Sequence, residues 1–556
     1  MAVSIPPKVF LKRQRCRRIC ANKDNSILPY PILLCTLNAR YHHSSFGLRY
    51  LYANLRELQP LAKIVEFTIS QNPRDIAEKI LSESPTVVGF GIYIWNTETT
   101  QQVVSILKKV RPDLTVVLGG PEVSYEAENQ QICQISDYVI QGEAEVEFYS
   151  LCKKLLSDET IGQKKVDQKI LRGSLPEIQN ITLPYDYYTD DDIKNRIIYV
   201  EASRGCPYRC EYCLSSLDKS VRSFDLDLFL NEIEKLIQRG ARSFKFVDRT
   251  FNLSITSSSR ILKFFLERMN LGLFLHFEMV PDRLPIELQE LIRQFPAGAL
   301  QFEIGIQTWS PAVAQLVSRR QNYEKIRENF NFLNEQTGVH LHTDLIAGLP
   351  GETWESFAHG FDQVASLGTQ EIQVGILKRL KGTPIIRHDQ EWGMVYQDHP
   401  PFQILQTKTL SFDQLQKLGR FSQFWDSVAN RGNFTNTMNF FRERCRTSGR
   451  SFFSDFFQLS EFLSQRHPTG HSVALLNLVE SIWIYLTQES QVSPDQARSL
   501  LIADYAGKVK RDIPKFLRAS NESSKVSSPE SPALPGLFVS PGLPKRQAKH
   551  QLQTQK

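Results

Sequence analysis

The chain's 556 residues, 41% of them hydrophobic and 23% charged, carry a formal charge of +6. At ~100–200 residues per domain this length allows about three domains with sizeable cores, so no disulfide framework is needed to hold the fold. The nine cysteines are odd in number and irregularly spaced, which points to a reducing cytoplasm, and no run approaches the ~18–20 unbroken apolar residues of a membrane helix.

Residues 1–26 hold seven Lys and Arg against Asp24 alone, which is the whole formal excess. Such an arm can touch nucleic acid or anionic lipid, but the plainer expectation is a flexible basic N-terminus. The apolar run Ile27–Leu37 has the outline of a secretory signal. Pro29 and Pro31 interrupt it, and Leu37 stands where a small residue should precede a cut after Ala39, so a buried first strand fits better.

From 27 to 152 short Val- and Ile-rich strands alternate with amphipathic helices. The strands are PILLCTL, AKIVEFTI, TVVGFGIYI, LTVVLGGPE and ISDYVIQGEAE, and helices are expected over Phe46–Gln59, Pro73–Ser82 and Thr97–Val110. This alternation predicts an α/β, doubly wound (Rossmann-like) parallel sheet, which binds ligands at the carboxyl ends of its strands. Those ends carry Asn38 followed by His42 and His43, then Gly91, Gly119-Gly120 and Gly142-Glu143. Residues 153–195 are polar and aperiodic and read as a linker.

A second βα series fills 196–385, with strands RIIYVEAS, SFKFVDRTFN, FLHFEMVPD, ALQFEIGIQTW, HLHTDLIAGLP and EIQVGILKRLKG. Helices such as Asp225–Arg239 and Tyr323–Gln336 separate them. Each strand ends in polar or glycine residues, the end at which barrel enzymes keep their chemistry. Asp344, Arg379 and Lys381 are charged examples; His340 and His342 share one side of a strand and suit a core or loop role. Residues 386–518 lose the alternation and read as a helical, strongly aromatic region that caps the barrel mouth or forms an interface. From 519 to 556 the chain turns to Ser, Pro and Gly and reads as a disordered tail.

Cys206, Cys210 and Cys213 fall in the loop after the first strand of the second series, spaced C-x3-C-x2-C. Thiolates so placed can close round one compact inorganic core, an iron–sulfur signature. A structural zinc needs a fourth ligand, which His276 or a distant cysteine would supply. Burial in an apolar core is the third alternative, opposed by Arg204, Arg209 and Glu211 in the same stretch.

The stretch CPYRCEYC, with Tyr212 before the third cysteine, resembles the signature of the radical S-adenosylmethionine (radical SAM) superfamily. The resemblance implies a [4Fe–4S] cluster on Cys206, Cys210 and Cys213, with S-adenosylmethionine on the open iron. It implies reductive cleavage of that cofactor to a 5′-deoxyadenosyl radical in a partial (β/α)6 barrel, with cofactor contacts from Tyr212, Asp248, Glu278 and Gln307. Asp248 departs from the glycine-glycine-glutamate strand end of the family, and the D-x-x-F form of 248–251 resembles the subgroup with an N-terminal cobalamin-binding domain.

The first βα series is similar to that domain through LNARYHHSSFGLRYLYANL, VVLGGPEVS and VIQGEAEVEF. This implies cobalamin contacts at Gly119, Gly120, Gly142 and Glu143, or a domain that kept the fold for substrate. The Asp-x-His-x-x-Gly cobalt-ligating loop is absent, so no histidine from such a loop is expected on the cobalt. The implied activity is cobalamin-dependent methyl transfer to an unactivated carbon of a small molecule or natural product, fed by a flavodoxin- or ferredoxin-type donor. Neither nucleic acid nor membrane is expected as a partner. A tRNA methylthiotransferase-like enzyme is a second reading, although Cys35, Cys133 and Cys152 are too widely spaced for the extra cluster it needs. A non-catalytic iron–sulfur sensor or electron-transfer protein is a third.

Overall fold

The apolar run at 32–38 forms strand β1 (Ile32–Asn38), buried over its whole length. The computed structural model describes residues 30–157, 168–173, 175–470, 473–505, 512–518 and 547. The basic arm at 1–26 and, Gln547 apart, the tail at 519–556 lie outside the described residues. The chain divides into two compact units, Met1–Ala39 with Tyr50–Leu175, and Arg40–Arg49 with Pro176–Lys556.

In the first unit β1 is joined by β2 (Ala62–Thr68), β3 (Val87–Gly91), β4 (Thr115–Gly119), β5 (Tyr138–Gln141) and β6 (Ile170–Arg172). The order is β2-β1-β3-β4-β5-β6, and every pairing is parallel. Winding reverses between β1 and β3, which opens a crevice at their carboxyl ends. Asn96 ties that crevice together, its amide donating to the carbonyls of Leu37 (3.1 Å) and Gly91 (3.0 Å). Helices cover Pro73–Ser82, capped by Asn72, and Thr97–Val110. The helix expected to reach Gln59 stops at Ala53. There the Asn54 amide bonds back to the Tyr50 carbonyl, Arg56 takes a left-handed φ of 52°, and a 3₁₀ turn containing Pro60 follows.

The stretch expected as a linker is structured on both sides of its undescribed residues. β6 extends the first sheet, while Tyr185 and Tyr188 are fully buried in the second unit and bond the Glu201 and Tyr199 carbonyls.

The second unit is built on β7 (Ile198–Val200), β8 (Ser243–Phe246), β9 (Phe274–Met279), β10 (Leu300–Gln307), β11 (His340–Ala347) and β12 (Glu371–Ile376). These are parallel and ordered as in the chain, with no pairing of β7 to β12: an open six-stranded barrel wall. Alternation assigns the faces. Phe246 packs outward on Phe229 and Phe265 of the surrounding helices (6.0 Å each). His276 and Glu278, Glu303 and Gly305, and His342 and Asp344 stay partly accessible on the inner face.

Past the barrel, helices among the described residues cover Phe412–Trp425, Thr435–Ser448, Phe452–Arg466, Leu475–Ile484 and Pro494–Tyr505. Their aromatic residues form a core: Phe421 and Trp425 pack on Phe361 of barrel helix Trp354–Ser366 (5.0 and 4.8 Å) and on Phe453 and Phe456. Phe412–Trp425 turns another side to β12, where the Ser422 hydroxyl donates to the Val374 carbonyl (2.6 Å). No helix among the described residues is long and apolar enough to cross a membrane.

Candidate active site

The cysteine loop is held by its own backbone and side-chain contacts. Gly205 has φ of 92°, and a Cβ there would overlap the Ser220 carbonyl. The Cys206 amide donates to the Asp218 carbonyl (3.1 Å), and the Ser216 hydroxyl donates to the carbonyls of Cys210 (2.8 Å) and Cys213 (2.7 Å). At the carboxyl end of β8, Asp248 accepts from the Ala202 amide (3.0 Å) and the Ser203 hydroxyl (2.6 Å). Burial pushes its carboxyl up to about 7 against those bonds.

All three cysteines line one cavity of about 170 Å³ at the carboxyl ends of the barrel strands, together with Tyr212, Arg249, Glu278, Gln307 and Arg319. Arg319 donates to the Cys210 sulfur (3.5 Å), the Tyr212 hydroxyl (3.3 Å) and the Gly305 carbonyl. Arg249 pairs with Glu278 at 3.2 Å. Gln307 takes a left-handed φ of 70° at a bulge between β10 and β11, a conformation rare for a residue with a side chain. Its amide folds over Gly305, where a Cβ would collide with it.

Part of the cavity's lining is ionic, with Glu303 at its centre. Glu303 accepts from Lys245 (3.2 Å) and bonds His276 (2.9 Å); burial opposes its charge, yet these two groups hold its carboxyl well below the usual range.

Three free thiols of one loop facing one cavity, with a guanidinium hydrogen-bonded to a sulfur, suit an iron–sulfur cluster, whose sulfurs accept such bonds. Among the described residues no three His, Cys, Asp or Glu side chains converge as a single ion requires. His276 does not line the cavity that the three cysteines share, and its Nε2 bonds Glu303.

Of the sequence-predicted residues, Tyr212, Glu278 and Gln307 reach this cavity. Asp248 does not line it; its carboxylate is turned back onto the start of the cysteine loop. Arg249 and Arg319 were missed. The first adjoins Asp248 in a quoted strand end, but the second lies 109 positions from Cys210 and gives no local signal.

In the first unit, Gly119 and Gly120 end β4 at the crevice. Gly120 has φ of 106°, and a Cβ there would lie 2.6 Å from the Ile92 carbonyl oxygen. Gly142 donates its amide to the Ser124 hydroxyl (3.1 Å), with Glu143 next to it. Just beyond β3, Trp95 stacks on Tyr93 (4.5 Å, 8°) and is 49% exposed, a flat apolar face that the strand pattern did not reveal. A flat macrocycle fits an aromatic face beside side-chain-free backbone. In the second unit His43 bonds the Tyr199 hydroxyl (2.7 Å), and burial pulls its imidazole down to about 4.

A doubly wound sheet preceding an open six-stranded barrel that carries three loop thiols at its mouth defines a radical enzyme of the iron–sulfur kind with a corrin-type α/β domain. Family models agree: "Radical SAM superfamily" matches residues 200–364, "B12 binding domain" residues 32–151, and "Protein of unknown function (DUF4080)" residues 390–531. Residues 200–364 are thus a radical SAM domain and residues 32–151 a B12-binding domain, the pairing of the radical SAM subgroup with an N-terminal cobalamin-binding domain.

Among solved structures, it resembles TsrM from Kitasatospora setae, a radical SAM methyltransferase with cobalamin and a [4Fe–4S] cluster bound. The TM-score is 0.52 at 17% identity, over 68% of this chain and 82% of that one. It also resembles OxsB with aqua-cobalamin (TM-score 0.56, 14% identity, 84% and 78% covered). An uncharacterized methyltransferase of Pyrococcus horikoshii is 25% identical over 56% of this chain and 70% of its own. The cobalamin-dependent radical SAM methyltransferase TokK of Streptomyces tokunonensis is 22% identical over 70% and 60%. A tRNA-2-methylthio-N(6)-dimethylallyladenosine synthase of Acinetobacter baylyi is 24% identical over 50% and 59%.

Proposed function

We propose that this chain is a cobalamin-dependent radical SAM methyltransferase acting on an unactivated carbon of a small molecule or natural product, with electrons from a flavodoxin- or ferredoxin-type donor. The observation that carries the reading is the gathering of Cys206, Cys210 and Cys213 on one cavity at the barrel's strand ends, in a chain whose residues 32–151 match the B12-binding model.

When bound, the cluster supplies the electron that cleaves S-adenosylmethionine, and cobalamin supplies a carrier for the methyl group. The cysteines hold the cluster, and Arg319 fixes Cys210 and Tyr212 relative to each other. Arg249 and Glu278 offer one charge of each sign, matched to the carboxylate and ammonium of S-adenosylmethionine. Gln307 adds an amide held in place by its bulge. Gly119, Gly120, Gly142 and Glu143, with the Tyr93–Trp95 stack, are the groups we assign to the corrin.

Among the described residues the methylthiotransferase reading finds no second ligand set. Cys35 and Cys133 sit in the first unit's hydrophobic core, and burial raises the thiols of Cys35 and of the buried Cys152.

The test is anaerobic reconstitution of the full chain with iron, sulfide and cobalamin, then dithionite and S-adenosylmethionine. Wild type is expected to release 5′-deoxyadenosine and to retain a corrin spectrum. Cys206→Ala, Cys210→Ala and Cys213→Ala should each lose cluster absorbance and the product together. A loaded cluster that releases no 5′-deoxyadenosine sinks the reading.

A further inference from the structure

A second, larger chamber of about 860 Å³ opens beside the cysteine cavity and shares Tyr212, Cys213, Arg249, Gln307 and Asp344 with it. That volume lies within the range of small-molecule sites, ~300–1,000 Å³. One wall is barrel: β11, β12 and the residues that follow them. The other is helix Phe412–Trp425 with the strand pair Val395–Tyr396 and Ile404–Gln406, all within the span matched by the model of unknown function.

The charges in this chamber do not cancel. Arg249 is paired with Glu278, and Arg420 faces Glu461 at 3.5 Å. Lys378, half-buried in the wall, has no ion-pair or side-chain hydrogen-bond partner among the described residues. Burial alone lowers its ammonium, and no carboxylate opposes that effect. An unpaired cation kept in a half-buried wall is costly unless something of opposite charge joins it. One acceptor facing the same space also stands open: Gln397 Oε1 is buried without a hydrogen-bond partner among the described residues, whereas Asp344 in the same lining pairs with His342 at 3.4 Å. The remaining polar lining is largely amide, with Gln373, Gln403 and Gln416, set among aliphatic residues such as Ile346, Ile376 and Leu415.

We infer that this chamber binds the substrate, and that the substrate carries an anionic group, carboxylate or phosphate, for Lys378 and an N–H or O–H donor for Gln397. The inference rests on the proposed methyltransferase reading and gives the 390–531 span a role, that of the substrate-facing wall. The chamber's shared boundary with the cysteine cavity puts such a molecule next to the group that starts the chemistry.

The test reads Lys378 directly. Cluster-loaded full-length protein is trace-acetylated with an N-hydroxysuccinimide ester under inorganic phosphate, glycolate, S-adenosylmethionine or sodium chloride at equal ionic strength. Peptide mass spectrometry then compares Lys378 with exposed Lys79. An anion seated at Lys378 restores its proton and covers it, so phosphate or glycolate should slow its acetylation at least threefold relative to chloride, leaving Lys79 unchanged. Slowing by glycolate alone assigns a carboxylate, by phosphate alone a phosphate ester, and by both an anion site open to either. No slowing beyond chloride overturns the inference, and so does slowing by S-adenosylmethionine alone, which would hand Lys378 to the cofactor. Parallel samples given dithionite and S-adenosylmethionine are assayed for 5′-deoxyadenosine. Its absence with protection intact strikes the radical reading and leaves the anion site standing; its presence without protection does the reverse.

Discussion

Glu352, at the end of the turn after β11, is buried and accepts a hydrogen bond from Thr308 (3.1 Å) at the end of β10. Burial pushes its carboxyl up to about 8 from an ordinary 4.5. The folded chain therefore keeps a proton that the unfolded chain releases above the ordinary value. This contribution to stability is complete below about pH 4.5 and is lost as pH rises through about 8. Within that window wild-type stability should fall by about a kilocalorie per mole per pH unit from this group. Glu352→Gln, neutral at every pH, should flatten the slope between pH 5 and 8. Denaturant midpoints across that range give the answer, and parallel slopes for the two proteins would refute the assignment. Thr308 follows Gln307 directly, so the carboxyl's proton bears on the strand end that supplies an amide to the cavity.

At the scale of elements, the cysteine loop is clamped to the turn Pro384–His388. Glu211, between Cys210 and Tyr212, accepts from Ser318 (2.5 Å) and Arg387 (2.5 Å) and bonds His388 (2.9 Å), while the Ile385 amide donates to its carbonyl (3.0 Å). Glu211 and His388 are both buried, whereas the Arg387 side chain is 60% exposed. Glu211→Ala should cost about 3 kcal/mol, the lower end for breaking a buried pair, and should cut the iron retained per chain. Arg387→Ala should cost under about 1 kcal/mol, as exposed pairs do. Melting temperatures and iron analysis separate the two, and equal losses would rule out the buried clamp. None of this clamp was legible in the sequence, because Glu211 and its partners lie 176 and 177 positions apart. What was legible is local: the cysteine spacing, the alternation of the barrel strands, and helices bounded by caps such as Asn72 and Asp225. β6 escaped because three residues are too few to show a period, and Lys378 because an unpaired charge is a property of its surroundings, not of its neighbours in the chain.

At the scale of the whole molecule, spatial units and sequence blocks do not coincide. Arg40–Arg49 belongs to the barrel unit although the first sheet's strands flank it in sequence. His43 pairs with Ile197 as a parallel bridge beside the start of β7. Arg49 is buried, donates to Asp192 (2.8 Å) and to the Ser45 carbonyl (2.9 Å), and lies over the Tyr188 ring (4.8 Å). Asp192 in turn caps helix Asp190–Asn195 through Thr189. Burial opposes its charge, and Arg49 overcomes that to hold the carboxyl below its ordinary value. A chain begun at residue 176 would contain every barrel strand, yet leave Asp192 with Arg196 at 3.4 Å as its remaining cation and uncover the face of Tyr188. Its barrel should be about 3 kcal/mol less stable than in the full chain, since a buried carboxylate has lost its closest partner. Arg49→Ala in the full chain should reproduce most of that loss, and adding Asp192→Asn should recover part of it by removing the stranded charge. Thermal melts of the four proteins decide the point. A barrel begun at 176 that melts with the full-length barrel would show that Arg40–Arg49 contributes nothing to it, and that the fold's units can be cut where the sequence alone would cut them.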